Sequence, residues 1–180
     1  MIVRDIPHNP AIGGEGLGDL YLPDGGWQAD TPVVLQIHGG GWAHGDRKSW
    51  SGVARFFTDV LGFASFNIEY RLASENNPWP ACAGDCIHAA KFLLSKTFAA
   101  THGLKPERIW ICGGSAGGHL ALWTGLSLPP LKNESPNSSA RSAKLRPCSL
   151  PDKQACRVCE VDACRAALAS GHGFAGVDDR

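Results

Sequence analysis

Residues 109–118 read IWICGGSAGG and give the clearest indication of the fold. The apolar stretch from Ile109 to Cys112 predicts a buried strand, and residues 116–126 have the apolar spacing of a helix. The turn between them has the form G-x-S-x-G, with Ser115 at its centre. Glycines two residues away on each side let the backbone take a strained turn. Such a turn lifts the serine hydroxyl above the end of the strand, within reach of a substrate.

A second glycine-rich segment, His38-Gly39-Gly40-Gly41-Trp42, directly follows the β-branched stretch of residues 33–37. Acyl transfer generates a negatively charged oxygen, and main-chain N–H groups stabilise it best when they are fixed in place beforehand. We assign the N–H groups of Gly40, Gly41 and Ala116 as the oxyanion donors. A phosphate-binding loop is the alternative, but the chain has neither a Lys-Ser/Thr pair at P-loop spacing nor the pattern G-x-G-x-x-G.

Elsewhere, strands and helices are predicted to alternate as far as residue 128. We predict strands at 18–22, 33–37, 63–68 and 109–112, and helices at 49–61, 83–99 and 116–126. This alternation is typical of an α/β fold with a mostly parallel sheet and flanking helices. Residues 127–151 contain six Ser and five Pro without periodicity, so we predict one domain over 1–128 and an irregular, poorly ordered tail over 129–180.

The composition excludes several classes of protein. The 180 residues carry 17 Lys and Arg against 17 Asp and Glu, and 43% of the residues are hydrophobic. Disorder requires low hydrophobicity with high net charge, and a nucleic-acid-binding surface requires an excess of basic residues. We therefore expect a globular protein without a nucleic-acid partner, whose oligomeric state the sequence leaves open.

The sequence also favours a cytoplasmic protein with no membrane partner. The N-terminus lacks the charged start and apolar run of a secretory signal, and no apolar stretch approaches the ~20 residues of a membrane span. The seven cysteines are interpreted as mainly reduced thiols. The four in the tail, at 148, 156, 159 and 164, do not form two close pairs, so we expect no metal site.

With both glycine segments identified, the chain resembles an α/β-hydrolase of the hormone-sensitive-lipase and carboxylesterase type. The resemblance covers roughly residues 18–128 and includes Tyr70-Arg71-Leu72-Ala73 and the residues after Ser115. It implies a partial α/β-hydrolase sheet, Ser115 as nucleophile, and hydrolysis of small short-chain esters without metal or cofactor.

The resemblance also implies an acid and a histidine that follow the serine in the chain. Ser170-Gly171-His172-Gly173-Phe174 is similar to the neighbourhood of the family's catalytic histidine, which makes His172 the candidate base. Asp152 and Asp162 are candidate acids, although surface carboxylates are the preferred interpretation of both. The tail is either out of register with the ancestral protein, which its composition favours, or the preserved end of a chain with an internal deletion.

Several other residues have a structural interpretation. His119 lies inside the helix after Ser115 with the wrong geometry to accept its proton, and His38 is expected to orient the glycine loop through a hydrogen bond. Asp85 is expected to form an ion pair with Arg71.

Trp42 and Trp79 are candidates to line a substrate pocket, whereas Trp110 is expected in the core because it lies in a strand. Two functions remain open: a serine esterase, or a catalytically inactive remnant with at most a binding role.

Overall fold

The computed structural model describes residues 1–107 and 109–129. Within them, one sheet contains the strands β1 (Ile2–Pro7), β2 (Leu17–Tyr21), β3 (Val33–Ile37), β4 (Ala64–Ile68) and β5 (Ile109–Gly113). The α-helices of these residues are α1 (Ser51–Arg55), α2 (Ala81–Leu93), α3 (Lys96–His102) and α4 (Ala116–Ser127). Short 3-10 segments span Pro10–Gly16 and Lys48–Trp50, and a π-helical turn, Phe56–Val60, continues α1.

The strands lie in the order β1-β2-β4-β3-β5. β3 pairs in parallel with both β4 and β5, whereas β2 pairs antiparallel with β4 and with β1. Ile37 lies opposite both Ile68 and Gly113, so the three parallel strands end at the same edge of the sheet. That edge therefore carries both glycine-rich segments.

Helices cover the two faces of this sheet. Successive strand residues point to opposite faces of the sheet. Because both faces are covered, all five residues of β3 are buried, and four of them are apolar. On one face, Leu35, Phe66 and Ile111 belong to a large cluster that includes buried residues of α2 and α4. On the other face, Val34 and Cys112 pack with Phe57 in a smaller cluster. Trp110 packs against that smaller cluster, as expected from its place in a strand.

The predicted single helix over residues 83–99 is wrong, because the structure has two helices there. α2 ends at Leu93, and α3 begins at Lys96. The Ser95 hydroxyl accepts a hydrogen bond from the Phe98 N–H at 3.1 Å, which caps the new helix. The change of direction brings Phe98 into the core, where its ring contacts Phe66.

β1 was not predicted. It is an edge strand whose register against β2 shifts between Val3 and Ile6, and Asp5 within that shift has a positive φ of 56°. Because a bulge disturbs the alternation of side chains, such a strand leaves no regular pattern in the sequence.

The predicted fold class, an α/β sheet with parallel central strands and flanking helices, is confirmed. In the part of the chain that the structure describes, no helix combines the length and apolar character needed to cross a membrane. The predicted irregular tail falls almost wholly outside the described residues, and the division of the chain after residue 128 stays a prediction.

Candidate active site

Ser115 lies between the end of β5 and the start of α4, with its side chain exposed. Its backbone has φ 52° and ψ −122°, a conformation that residues with a side chain rarely adopt. The turn is closed by the Gly117 N–H, which donates to the Gly114 carbonyl at 2.8 Å. The structure thus places an exposed hydroxyl on a strained turn at the carboxyl edge of the sheet, where the sequence predicts it.

The turn requires glycine at 117 because the backbone of β3 passes directly beside it. A Cβ at Gly117 would lie 2.6 Å from the His38 carbonyl oxygen and would also collide with the Ile37 carbonyl oxygen. At Gly113, a Cβ would collide with the main chain of Gly117. The absent side chains let the serine turn sit against the end of the central strand.

The glycine loop, defined here as residues 38–47, lies beside Ser115. A Cβ at Gly39 would lie 2.7 Å from the Gly114 carbonyl oxygen and 3.5 Å from the Ser115 Cβ. Gly40 and Gly41 have positive φ values of 124° and 60°, and both are exposed. The loop is folded back by the His44 N–H, which donates to the Gly40 carbonyl at 2.9 Å.

Three main-chain N–H groups of the glycine loop and the serine turn have no hydrogen-bond acceptor in the part of the chain that the structure describes. They belong to Gly40, Gly41 and Ala116. Ala116 is the first residue of α4, whose N-terminal end carries a partial positive charge. Main-chain N–H groups without an acceptor suit a negatively charged oxygen.

His38, at the start of the loop, is buried and serves the loop's conformation. Its Nδ1–H donates to the Gly39 carbonyl at 2.8 Å, since a carbonyl only accepts. Its ring stacks on that of Tyr70 with 4.3 Å between the centroids. The Tyr70 hydroxyl donates to the His38 carbonyl at 2.9 Å, and burial raises the pKa of that hydroxyl. The predicted orienting hydrogen bond of His38 is therefore present.

The other end of the loop joins a group of charged residues. The Arg47 side chain is almost buried and forms ion pairs with Asp5, Asp19 and Glu69. Next to it, the Ser49 N–H donates to the Asp46 carboxylate at 2.7 Å, which holds the pKa of Asp46 below its usual range. Sequence analysis assigned no role to Arg47 or Glu69, because their partners are distant in the chain.

His119 belongs to an aromatic cluster rather than to a proton-transfer pair. The Trp42 indole N–H donates to His119 Nδ1 at 3.3 Å, so this nitrogen acts as an acceptor. Trp79 contacts both His119 and Trp123, with ring centroids 5.5 Å and 5.1 Å apart. Trp42, Trp79 and Trp123 are each at least 40% exposed, and His119 lies one helical turn after Ser115. The cluster thus forms an exposed aromatic surface next to the serine turn.

The predicted ion pair between Arg71 and Asp85 is present. Arg71 Nε and Nη2 donate to the two carboxylate oxygens of Asp85 at 2.8 Å and 2.7 Å, and the Arg71 main-chain N–H adds a third bond at 3.0 Å. Asp85 is buried and raises the pKa of the arginine. The pair fixes the segment after β4 onto α2.

The remaining predicted site residues are not among those described. His172, Asp152 and Asp162 all lie outside the described residues, as do the four tail cysteines. The structure brings Gly39 against the turn of Ser115 and Ala116, and Gly40 and Gly41 follow it in the loop; the roles of all these residues stay predictions.

Comparison with known proteins identifies the family of this chain. The model of the family BD-FAE matches residues 18–146, which is more than two thirds of the chain. The chain belongs to the BD-FAE family. The match begins at residue 18, where the predicted resemblance to α/β-hydrolase esterases begins, and extends beyond residue 128. The predicted resemblance is confirmed.

Relatives of this BD-FAE chain are carboxylic ester hydrolases. Carboxylic ester hydrolase LipN of Mycobacterium tuberculosis is 34% identical over 113 residues, which cover 62% of this chain and 29% of LipN. Carboxylesterase NlhH of the same organism is 34% identical over 114 residues, covering 61% of this chain and 34% of NlhH. The chain thus spans about a third of the length of these relatives.

A solved structure has the same fold. Esterase B from Lactobacillus rhamnosis superposes with a TM-score of 0.62 at 26% identity, covering 70% of this chain and 40% of esterase B. The fold of this BD-FAE member is therefore that of the α/β-hydrolase esterases.

Proposed function

We propose that the protein is a serine carboxylic ester hydrolase that acts on small short-chain esters. The observation that carries the proposal is the exposed Ser115 at φ 52°, set against a glycine loop whose exposed main-chain N–H groups have no acceptor among the described residues. The carboxylic ester hydrolases among its relatives support the same reaction class.

In the proposed reaction, the Ser115 hydroxyl oxygen attacks the ester carbonyl and its proton passes to a base. The carbonyl oxygen becomes negatively charged and accepts hydrogen bonds from the N–H groups of Gly40, Gly41 and Ala116. The tetrahedral intermediate expels the alcohol, which takes the proton from the base. This leaves an acyl-enzyme. The base then takes a proton from water as the water oxygen attacks the acyl carbonyl, and the Ser115 oxygen leaves with that proton, which releases the acid and restores the enzyme.

We further propose His172 as the base, on the resemblance of residues 170–174 to the catalytic histidine segment of the family. Asp152 and Asp162 are the candidates to orient it. A histidine is suited to the role because its ordinary pKa lies near neutrality, so it can accept and return a proton.

Hydrolysis of p-nitrophenyl acetate tests the proposal. We expect turnover by the wild-type chain and loss of about 10³-fold or more with Ser115→Ala, because the nucleophile is removed. Ser127→Ala removes an exposed hydroxyl at the far end of α4, the helix that follows Ser115, and should retain wild-type turnover. A wild-type rate equal to that of Ser115→Ala would contradict the proposal and support the inactive remnant.

A further inference from the structure

One carboxylate, that of Glu69, lies beside both ends of the glycine loop. Its Oε2 accepts a hydrogen bond from the Arg47 main-chain N–H at 3.3 Å. The same oxygen lies 3.6 Å from Nε2 of His38. His38 and Arg47 are the first and last residues of the loop. A single oxygen atom of Glu69 therefore lies close to both ends of the loop.

Because His38 Nδ1–H is donated to Gly39, the contact between Nε2 and Glu69 is an ion pair when both ring nitrogens of His38 carry protons. The Arg47 guanidinium lies 4.0 Å from the other oxygen of Glu69 and 3.3 Å from Asp19, and also pairs with Asp5. Arg4 pairs with Asp19 at 3.2 Å from the more exposed side. Glu69 therefore faces one buried arginine and one histidine nitrogen, within a group that holds three carboxylates.

Other contacts hold each end of the loop separately: the Tyr70 hydroxyl donates to the His38 carbonyl, and the Asn67 side-chain amide donates to the Arg47 carbonyl. The loop's own turn is closed by the hydrogen bond from His44 to Gly40, and the Ala73 N–H donates to the Trp42 carbonyl at 2.8 Å. Four glycines in the loop, at 39, 40, 41 and 45, give its backbone wide conformational freedom. Fixing both ends of such a segment removes much of that freedom.

We propose that Glu69 is a positioning residue of the oxyanion site. Its carboxylate holds the two ends of the glycine loop at a fixed separation, which keeps the N–H groups of Gly40 and Gly41 directed toward Ser115. Glu69 does not touch the substrate and acts only through the loop. The inference rests on the proposed function, because it assigns Glu69 a part in stabilising the oxyanion.

The test replaces Glu69 by glutamine, which keeps the shape and removes the charge. We expect kcat for p-nitrophenyl acetate to fall about 10- to 100-fold with KM changed less than about 3-fold, because oxyanion contacts form mainly in the transition state. Glu75→Gln is the matched control, since Glu75 is exposed in a loop outside this charged group, and it should leave kcat unchanged.

Hydrogen exchange provides a readout that does not depend on activity. In Glu69→Gln, amides of residues 38–47 should exchange faster, while those of α2 and α4 keep their wild-type rates. Unchanged exchange in the loop, or faster exchange spread equally over all described elements, would overturn the inference. An inactive wild-type chain would end the proposed function, and loop exchange would still decide whether Glu69 holds the loop.

A second variant covers the case in which Glu69→Gln fails to fold. Glu69→Asp keeps the charge but is shorter by one methylene, so its carboxylate cannot reach both ends of the loop. We expect it to fold and to show faster loop exchange with a reduced kcat. Wild-type exchange and kcat in Glu69→Asp would overturn the inference.

Discussion

Ser115 is held in a backbone conformation that costs free energy, of the order of 1–3 kcal/mol for a residue with a side chain. Its φ of 52° is maintained by the Gly117 to Gly114 hydrogen bond and by the close approach of β3. Because its side chain is exposed, the residue returns little packing energy for this strain. Strain at an exposed hydroxyl therefore points to a role in function rather than in stability.

His8 is a second residue whose environment has a measurable consequence. Its side chain is buried, its Nε2–H donates to the Glu69 carbonyl at 3.3 Å, and burial lowers its pKa to about 4. The folded protein thus keeps His8 neutral, while the unfolded chain binds a proton near pH 6.5. The contribution of His8 to the free energy of unfolding is therefore fully present above pH 6.5. It is lost as the pH falls toward 4, by about 3 kcal/mol in total.

Urea unfolding at pH 7 and pH 4.5 measures this loss. The wild-type protein should lose free energy of unfolding between these two values, and His8→Gln should lose clearly less. His102→Gln provides the comparison, since burial also lowers the pKa of His102 but the residue is less buried. If the free energy of unfolding of the wild type and of His8→Gln depended equally on pH, the lowered pKa of His8 in the folded protein would be contradicted.

At the scale of elements, the two glycine segments meet because they follow adjacent parallel strands. β3 and β5 pair in parallel, with Ile37 opposite Gly113, so the loop after one strand meets the turn after the other. The contact is made by main chain against main chain, which the glycines at 39, 113 and 117 permit. A side chain at any of these positions would separate the loop from the serine turn.

Two helical glycines test this point. Gly117→Ala should lower the free energy of unfolding by about 2 kcal/mol or more, because its methyl group would meet the Ile37 and His38 carbonyls. Gly84→Ala in α2 should raise the free energy of unfolding by up to about 1 kcal/mol, since no atom lies within 4 Å of the added carbon. Chemical denaturation measures both, and a Gly117→Ala protein as stable as Gly84→Ala would refute the packing argument.

At the scale of the whole molecule, the described residues supply the proposed nucleophile and the oxyanion donors. The chain spans about a third of the length of curated relatives such as NlhH. The proposed base, His172, lies in the remainder of the chain, outside the described residues. Under the proposed mechanism, turnover requires residue 172 to reach Ser115.

His172→Ala tests this requirement. We expect turnover of p-nitrophenyl acetate to fall about 10³-fold or more, because the proton of Ser115 then has no acceptor. His88→Ala is the control, since His88 is exposed on α2, and it should keep wild-type turnover. Full activity in His172→Ala would place the base at another residue.

The parallel strands at 33–37, 64–68 and 109–113 could be predicted from local sequence to within a residue, as could the turn that carries Ser115. These features follow from local rules: continuous apolar stretches favour buried strands, and glycines permit a strained turn. Local sequence did not reveal the edge strand β1, the break between α2 and α3, or the contacts of Glu69 with His38 and Arg47. These depend on contacts between residues up to 32 apart in the chain, such as Phe66 and Phe98, which no local pattern encodes.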